Sequence, residues 1–443
     1  MSRPLFSVLV PTRDRPDTLR HTLATVANQG REDYEIVVAD NCGSPETRRV
    51  VDELGSPLVR YTRSDEVLPM AENWERGLAL CSGDYVTVLG DDDAFLPSTL
   101  QLAEKLISAT DAELVSWRPQ TYWWPNTIAY WNRNRLYVSF GNSATLVDSR
   151  PALEQFYAGA IGFGVIPTVY TAFFHRRIVE EARRRHGGFF VPPDAPPDVS
   201  SGILGLHLTR RFAYSDRALT LRGNSAKSNG TAQWMRSLGS EQREVYFREE
   251  RVGVQGMIHS SLVPSPNLLV LIASTKLKCR ERYFPDDATL KVDLHELVRS
   301  MVASLNHDPA AYDDNLRDAR DLAAKIGMVI EPGSIPPKAF GEKPSGWGPM
   351  VNQHGQIDGL SVNCDLAGAH DVAAAARLVE ALSPPADSFL AGAARDAAET
   401  AADVSYEPAQ AAQAAQAAPA ADSSRLPFLG RLLSDLFRRR PPG

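Results

Sequence analysis

The sequence predicts an α/β fold, a mostly parallel central sheet flanked by helices, followed by a C-terminal helical appendage and a disordered tail. Three observations carry this. Short apolar, β-branched runs alternate with helical patterns in the first third. Polar residues collect where those runs end. The 443 residues exceed one minimal domain and predict two or three folded units at roughly 100–200 residues each.

Phe6 to Val10, Ile36 to Ala39 and Tyr85 to Leu89 read as strands buried on both faces. A helix opens at Asp14-Arg15-Pro16, with Leu19, Leu23, Val26 and Ala27 on one face. A second helix is expected from Glu46 to Leu54, a third carries Trp74 and Leu78, and Pro97 opens a fourth with Leu100, Ala103 and Leu106. Ala112 to Trp117 is a further strand, and right-handed crossovers are expected between parallel neighbours. Ligands of such sheets bind at the carboxyl ends of the strands.

Composition narrows the chemistry. Hydrophobic residues at 43% support a sizeable core, and a formal charge of −7 argues against a nucleic-acid coat. Cys42, Cys81, Cys279 and Cys364 form no CxxC pair or zinc-type cluster, which fits a reducing, cytoplasmic setting. The N-terminus runs straight into an apolar strand without the h-region of a signal peptide. The strongest apolar run, Asn267 to Ala273, falls short of the roughly 20 residues a membrane-spanning helix needs.

The first strand ends in Pro11-Thr12-Arg13-Asp14, the second in Asp40-Asn41, and the third in Gly90-Asp91-Asp92-Asp93. Three consecutive carboxylates repel one another and hold protons more tightly unless a cation sits among them. A divalent ion would relieve that repulsion, and all-oxygen ligation suits Mg²⁺ or Mn²⁺. The competing reading is a solvated acidic turn before the helix opened by Pro97.

The ordered segments PTRDRP, VVADN and GDYVTVLGDDDAFLP together resemble the inverting family 2 glycosyltransferases of the GT-A fold. The resemblance covers residues 1 to 232. It implies nucleotide-sugar contacts from Pro11, Thr12, Arg13, Asp40, Arg63, Asn73 and Asp91, with Asp92 and Asp93 on a divalent metal. Gly90 stands where many members have the first Asp of an Asp-x-Asp-Asp motif, which leaves open which of Asp91 to Asp93 holds the ion. Asp40 also reads as a local turn residue, Asn73 as a backbone partner, and Trp74 with Leu78 as a core pair.

By the same resemblance the catalytic base is Asp198, in Pro196-Pro197-Asp198-Val199, with Asp194 as the fallback. Asp198 also reads as the N-cap of a helix from Val199 to Leu208. Arg222 and Lys227 fall in a basic loop, Arg222 to Gly230, suited to covering a diphosphate. Relatives often place a metal-ligating His in this loop, and none stands here. The aromatic stretch Thr121 to Trp131 reads equally as a sugar-stacking surface or as a cover over the core.

Residues 1–232 thus form the expected catalytic domain, 233–330 a helical appendage, and 331–385 a linker with a small Ala-rich strand and helix. Residues 386–424 are an Ala/Gln/Pro-rich disordered linker. In 425–443, Phe428, Leu429, Leu432, Leu433, Leu436 and Phe437 share one helical face beside five arginines, the pattern of a helix lying on an anionic membrane surface. The expected function is metal-dependent inverting transfer of a sugar from a nucleoside-diphosphate sugar, UDP by default, to a hydroxyl of a saccharide or lipid-linked saccharide. The alternative is a saccharide-binding or scaffolding protein that keeps the fold without turnover.

Overall fold

The computed structural model describes residues 3–339, 347–352, 354–390 and 395–396. The chain opens with β1 (Phe6–Thr12), α1 (Pro16–Val26), β2 (Tyr34–Asp40), α2 (Pro45–Leu54), β3 (Val59–Arg63), α3 (Met70–Leu78) and β4 (Tyr85–Val88). It continues with β5 (Ala94–Phe95), α4 (Thr99–Thr110), β6 (Leu114–Trp117), β7 (Gln120–Trp123), β8 (Arg135–Ser139), β9 (Ala144–Asp148) and α5 (Ser149–Ala158). Then follow β10 (Ala172–His175), α6 (Arg176–His186), α7 (Pro197–Leu208), β11 (Arg211–Ser215) and β12 (Thr220–Asn224). The helices α8 (Asn229–Trp234), α9 (Ser240–Glu249), α10 (Gly253–Met257), α11 (Leu268–Tyr283), α12 (Leu294–Ala303) and α13 (Tyr312–Lys325) come next. Strands β13 (Gly348–Val351) and β14 (Ile357–Asn363), helix α14 (Val372–Leu382) and the short β15 (Arg395–Asp396) close the described chain.

The principal sheet has nine strands in the order β15-β9-β11-β6-β10-β4-β1-β2-β3. Strands β3, β2, β1 and β4 run parallel, and β10 enters antiparallel between β4 and β6. The chain builds outward from β1 to β3, then returns to the other side of β1 with β4. That reversal opens a crevice beyond the carboxyl ends of β1 and β4, where such sheets bind ligands. Alternate residues of β1 serve opposite cores: Phe6, Val8 and Val10 pack with Leu19, Leu23 and Leu100, whereas Leu9 packs with Trp74 and Leu78. Burial on both faces explains why these strands read as continuous apolar runs.

A second sheet, in the order β13-β14-β8-β7-β12-β5, shares its connections with the first. Its strands β7 and β8 take up part of the aromatic stretch, with Tyr122 and Trp124 buried beside Leu136, Val138 and the α14 residues Val372, Ala375 and Val379. Tyr122 and Trp124 therefore cover a core. The Ala-rich helix α14 packs on this sheet, and Ser98 donates to Glu380 at 2.9 Å across the junction. Helices α9 to α13 share a separate core that includes Tyr246, Leu271, Val298 and Leu322.

Asn267 to Ala273, the strongest apolar run, lies at the start of the 16-residue α11, and Val270 to Thr275 are buried. Among the described residues no helix is long and apolar enough to cross a membrane. The expected basic helix at 425–443, and the low-complexity linker beyond residue 390 apart from β15, lie outside the described residues.

Helix α3 approaches the sheet through Gly77, where an added Cβ would meet Leu9 Cδ1 at 2.5 Å and Ala39 Cβ at 2.8 Å. Ala is the better helix former by about 1 kcal/mol, but overpacking a core costs about 1–3 kcal/mol. Gly77→Ala is therefore expected to lower the denaturant midpoint of unfolding; a raised midpoint would show that the contact yields freely.

Candidate active site

The site is built from the ends of β1 and β4. Thr12, last in β1, donates its hydroxyl to Asp91 Oδ2 at 2.7 Å. Arg15, between β1 and α1, donates to Asp91 Oδ1 at 3.0 Å, and this pair is largely buried. Burial alone would lower the Arg15 pKa, but Asp91 and Asp92 hold it above its ordinary value.

The three carboxylates point to three different partners. Asp92 Oδ2 accepts from Ser225 Oγ at 2.5 Å and from the Ser225 N–H at 3.2 Å. Asp93 accepts from the Gly223 N–H at 2.7 Å and the Gly90 N–H at 3.2 Å. Burial raises the pKa of both, with Asp91 adding to Asp92 and Asp92 adding to Asp93, and Asp93 is pushed up to about 8. Glycine at 90 follows from this packing, since a Cβ there would lie 2.7 Å from Asp93 Oδ2. Gly223 is tighter still: its Cβ would meet the Asp92 carbonyl oxygen at 1.8 Å.

A divalent ion fits the chemistry of this donor set. The ligands are carboxylate oxygens, and Arg15 balances Asp91 while the charges on Asp92 and Asp93 stay incompletely offset. Among the described residues no group of three or more His, Cys, Asp or Glu is arranged to hold a metal. Two carboxylates with phosphate and water oxygens is nonetheless a usual Mg²⁺ set.

Asp198 sits in the first turn of α7, not at its N-cap, because Pro197 already begins the helix after Pro196. Its Oδ1 accepts from the Val199 N–H at 2.9 Å, and burial raises its pKa against that bond. Asp194, the fallback, is held by Lys278 Nζ of α11 at 2.5 Å and is an ion-pair partner.

Other expected contacts are differently engaged. Asp40 is fully buried, with Gly43 N–H on Oδ1 at 2.8 Å and the Tyr61 hydroxyl on Oδ2 at 2.6 Å. These bonds give Asp40 the local turn role. Asn73 donates to the Ala39 carbonyl at 3.1 Å and accepts from Arg76 at 2.7 Å, again a structural use. Arg63 donates to the Gly43 carbonyl at 3.0 Å. Pro11 lies within β1, half-buried.

Arg222 is not in a loop: β12 runs through Asn224, pairing Arg222 with Thr121 and Asn224 with Trp123. The connection to α8 is thereby shortened to Ser225 to Ser228. Within it Lys227 Nζ donates to the Asp14 carbonyl at 2.9 Å, and the Lys227 carbonyl accepts from Arg15. This latches the connection over the end of β1.

Three contributors had no site role in the sequence reading: Arg15, Ser225 and the end of helix α9. Arg15 stood inside the quoted PTRDRP segment, so a signal existed. Helix α9 is legible as a helix from Glu241 to Glu250, but its contacts, which span more than 170 residues, left no signal. Glu249 pairs with Arg13, and Glu250 Oε1 accepts from the Met70 N–H at 3.0 Å.

Residues 7–173 match the family described as Glycosyl transferase family 2. The matched segment contains Asp91, Asp92 and Asp93 and the strands that carry them. A Campylobacter jejuni protein named GalNAc(5)-diNAcBac-PP-undecaprenol beta-1,3-glucosyltransferase is 34% identical over 100 residues, 22% of this chain and 32% of its own length. An abequosyltransferase of Salmonella typhimurium is 27% identical over 111 residues, 24% of this chain and 33% of its own. The chain thus spans about a third of the length of these curated relatives. Among solved structures, S. aureus TarS residues 1–349 with UDP-GlcNAc is 16% identical, covering 74% of this chain and 93% of that one at a TM-score of 0.42.

The Glu250 carboxyl is pushed up to about 7 from 4.5, chiefly by burial. In the folded state it keeps its proton to higher pH than in the unfolded chain. Its contribution to stability is complete below pH 4.5 and is lost as pH rises through about 7. Glu250→Gln is expected to gain about 3 kcal/mol relative to wild type between those limits, read from denaturant unfolding at each pH. A stability difference that does not change with pH would contradict this assignment.

Proposed function

We propose that this chain is a metal-dependent, inverting glycosyltransferase that moves a sugar from a nucleoside-diphosphate sugar to a hydroxyl of a saccharide or lipid-linked saccharide. The observation that carries this is the pairing of Asp91, Asp92 and Asp93 at the end of β4 with Asp198 at the start of α7. The similarity to a protein named GalNAc(5)-diNAcBac-PP-undecaprenol beta-1,3-glucosyltransferase supports the acceptor class.

Inverting transfer is a direct displacement at the anomeric carbon, so a base must take the acceptor proton as the hydroxyl oxygen attacks. Asp198 is that base: burial raises its affinity for a proton while it remains within carboxylate chemistry. The electron pair of the broken glycosidic bond leaves with the diphosphate on the opposite face. Asp92 and Asp93 would hold a Mn²⁺ or Mg²⁺ ion, whose contribution when bound is to offset charge on that diphosphate. Arg15 fixes Asp91, and Lys227 supplies a further cation on the connection above β1. A cytoplasmic setting, with peripheral membrane contact through residues 425–443, belongs to this proposal on the sequence pattern alone.

Nucleotide release from UDP-, GDP- and dTDP-sugars with Mn²⁺ or Mg²⁺ tests the reading. Wild type should release nucleotide from at least one donor, and Asp92→Ala and Asp198→Asn should each slow release about a hundredfold or more. Release at the wild-type rate in Asp198→Asn would remove that residue from catalysis. No release from any donor would favour a non-catalytic binding protein.

A further inference from the structure

The side chains of Asp92 and Asp93 turn to Ser225, Gly223 and Gly90, but their backbone carbonyls are held by two other side chains. The Trp124 indole N–H donates to the Asp92 carbonyl at 2.9 Å, and the Thr22 hydroxyl donates to the Asp93 carbonyl at 2.7 Å. Both donors are buried, Thr22 fully and Trp124 at 6% exposure. A buried carbonyl that loses its donor is left desolvated and unpaired, so these bonds resist being broken.

Each donor is itself fixed. Thr22 and Thr25 lie three apart on α1 and share a face. Thr25 Oγ1 accepts from the Phe95 N–H at 3.2 Å, so α1 grips two points of the chain that leaves the carboxylates. Trp124 follows β7 and shares a core with the α14 residues Val372, Ala375 and Val379. His21 of α1 meets its ring edge-on at 5.9 Å and reaches Asp371, the N-cap of α14, at 3.5 Å. Strand β12 closes the remaining side, since a Cβ on Gly223 would lie 2.7 Å from Trp124 Nε1 and 1.8 Å from the Asp92 carbonyl oxygen.

The backbone sets where a carboxylate can reach, and metal–ligand distances tolerate only about 0.2 Å. Fixing the carbonyls of two successive residues therefore fixes the directions in which Asp92 and Asp93 leave the chain.

We propose that Trp124 and Thr22 are positioning residues for the divalent ion, acting through the backbone of Asp92 and Asp93 without touching the ion. This rests on the metal-dependent reading above and adds the residues that pre-form its carboxylate pair. Because Trp124 shares its core with α14, that C-terminal helix belongs to the support of the metal site.

The test is calorimetric titration of Mn²⁺ into the full chain in the presence of UDP, GDP or dTDP. Trp124→Phe and Thr22→Val each remove one donor and keep most of the volume, and each should weaken Mn²⁺ binding about tenfold. Thr22→Ser keeps the hydroxyl and should bind as wild type. Tyr122→Phe removes a hydroxyl from the same core, one that donates to Asn134 Oδ1 at 2.6 Å, and should also bind as wild type. Thr22→Val and Thr22→Ser carry the test alone if Trp124→Phe does not fold. Unchanged Mn²⁺ affinity in Thr22→Val would overturn the proposal. So would an equal loss in Thr22→Ser or Tyr122→Phe, which would mark packing rather than the carbonyl bonds as the cause. A wild-type chain that binds nucleotide but no Mn²⁺ would overturn the metal reading itself, and this one with it.

Discussion

The hydrogen-bonded ion pair of Arg15 with Asp91, joined by Thr12, is the constraint around which the site is organised. It ties the end of β1 to the turn after β4, the two strands that flank the point where the sheet reverses direction. With Asp91 held, the next two residues must turn away, Asp92 toward Ser225 and Asp93 toward Gly223 and Gly90. The two sheets meet at these bonds. Breaking the pair would leave a buried charge alone, and that typically costs about 3–5 kcal/mol.

This arrangement divides the work among the carboxylates. Asp91 is spent on a protein cation and serves position. Burial and mutual repulsion make Asp92 and Asp93 hold protons more tightly than ordinary carboxylates, a cost that a bound cation would relieve. Asp198, on α7, is linked to β4 through Val169, whose carbonyl accepts from Thr87 and whose N–H donates to Ser201.

Much of this was legible in the chain. β1, β2 and β4 announce themselves because strands buried on both faces carry uninterrupted apolar residues, and the polar motifs at their ends fall at the crevice that the fold creates. Asp40 and Asn73 also serve local backbone groups at Gly43 and Ala39, the structural use that each residue type suggested beside the ligand contact. Arg222 reads as loop because the run from Arg222 to Gly230 mixes Arg and Lys with Ser, Asn and Gly. Arg222 to Asn224 are in fact strand, and Gly223 is required there by its contact with the Asp92 carbonyl. Glu250 could not be found from local pattern, since nothing in the sequence of α9 records that it will meet the distant Met70 N–H.

The central claim is that the Asp91 to Asp93 cluster binds a nucleoside diphosphate together with a divalent ion. Calorimetric titration of UDP, GDP and dTDP into the full chain, with and without Mn²⁺, tests it most directly when Asp92→Ala is run alongside. The account predicts binding of one nucleotide that requires the metal and is lost in Asp92→Ala. Equal binding without metal, and undiminished binding in the variant, would contradict it.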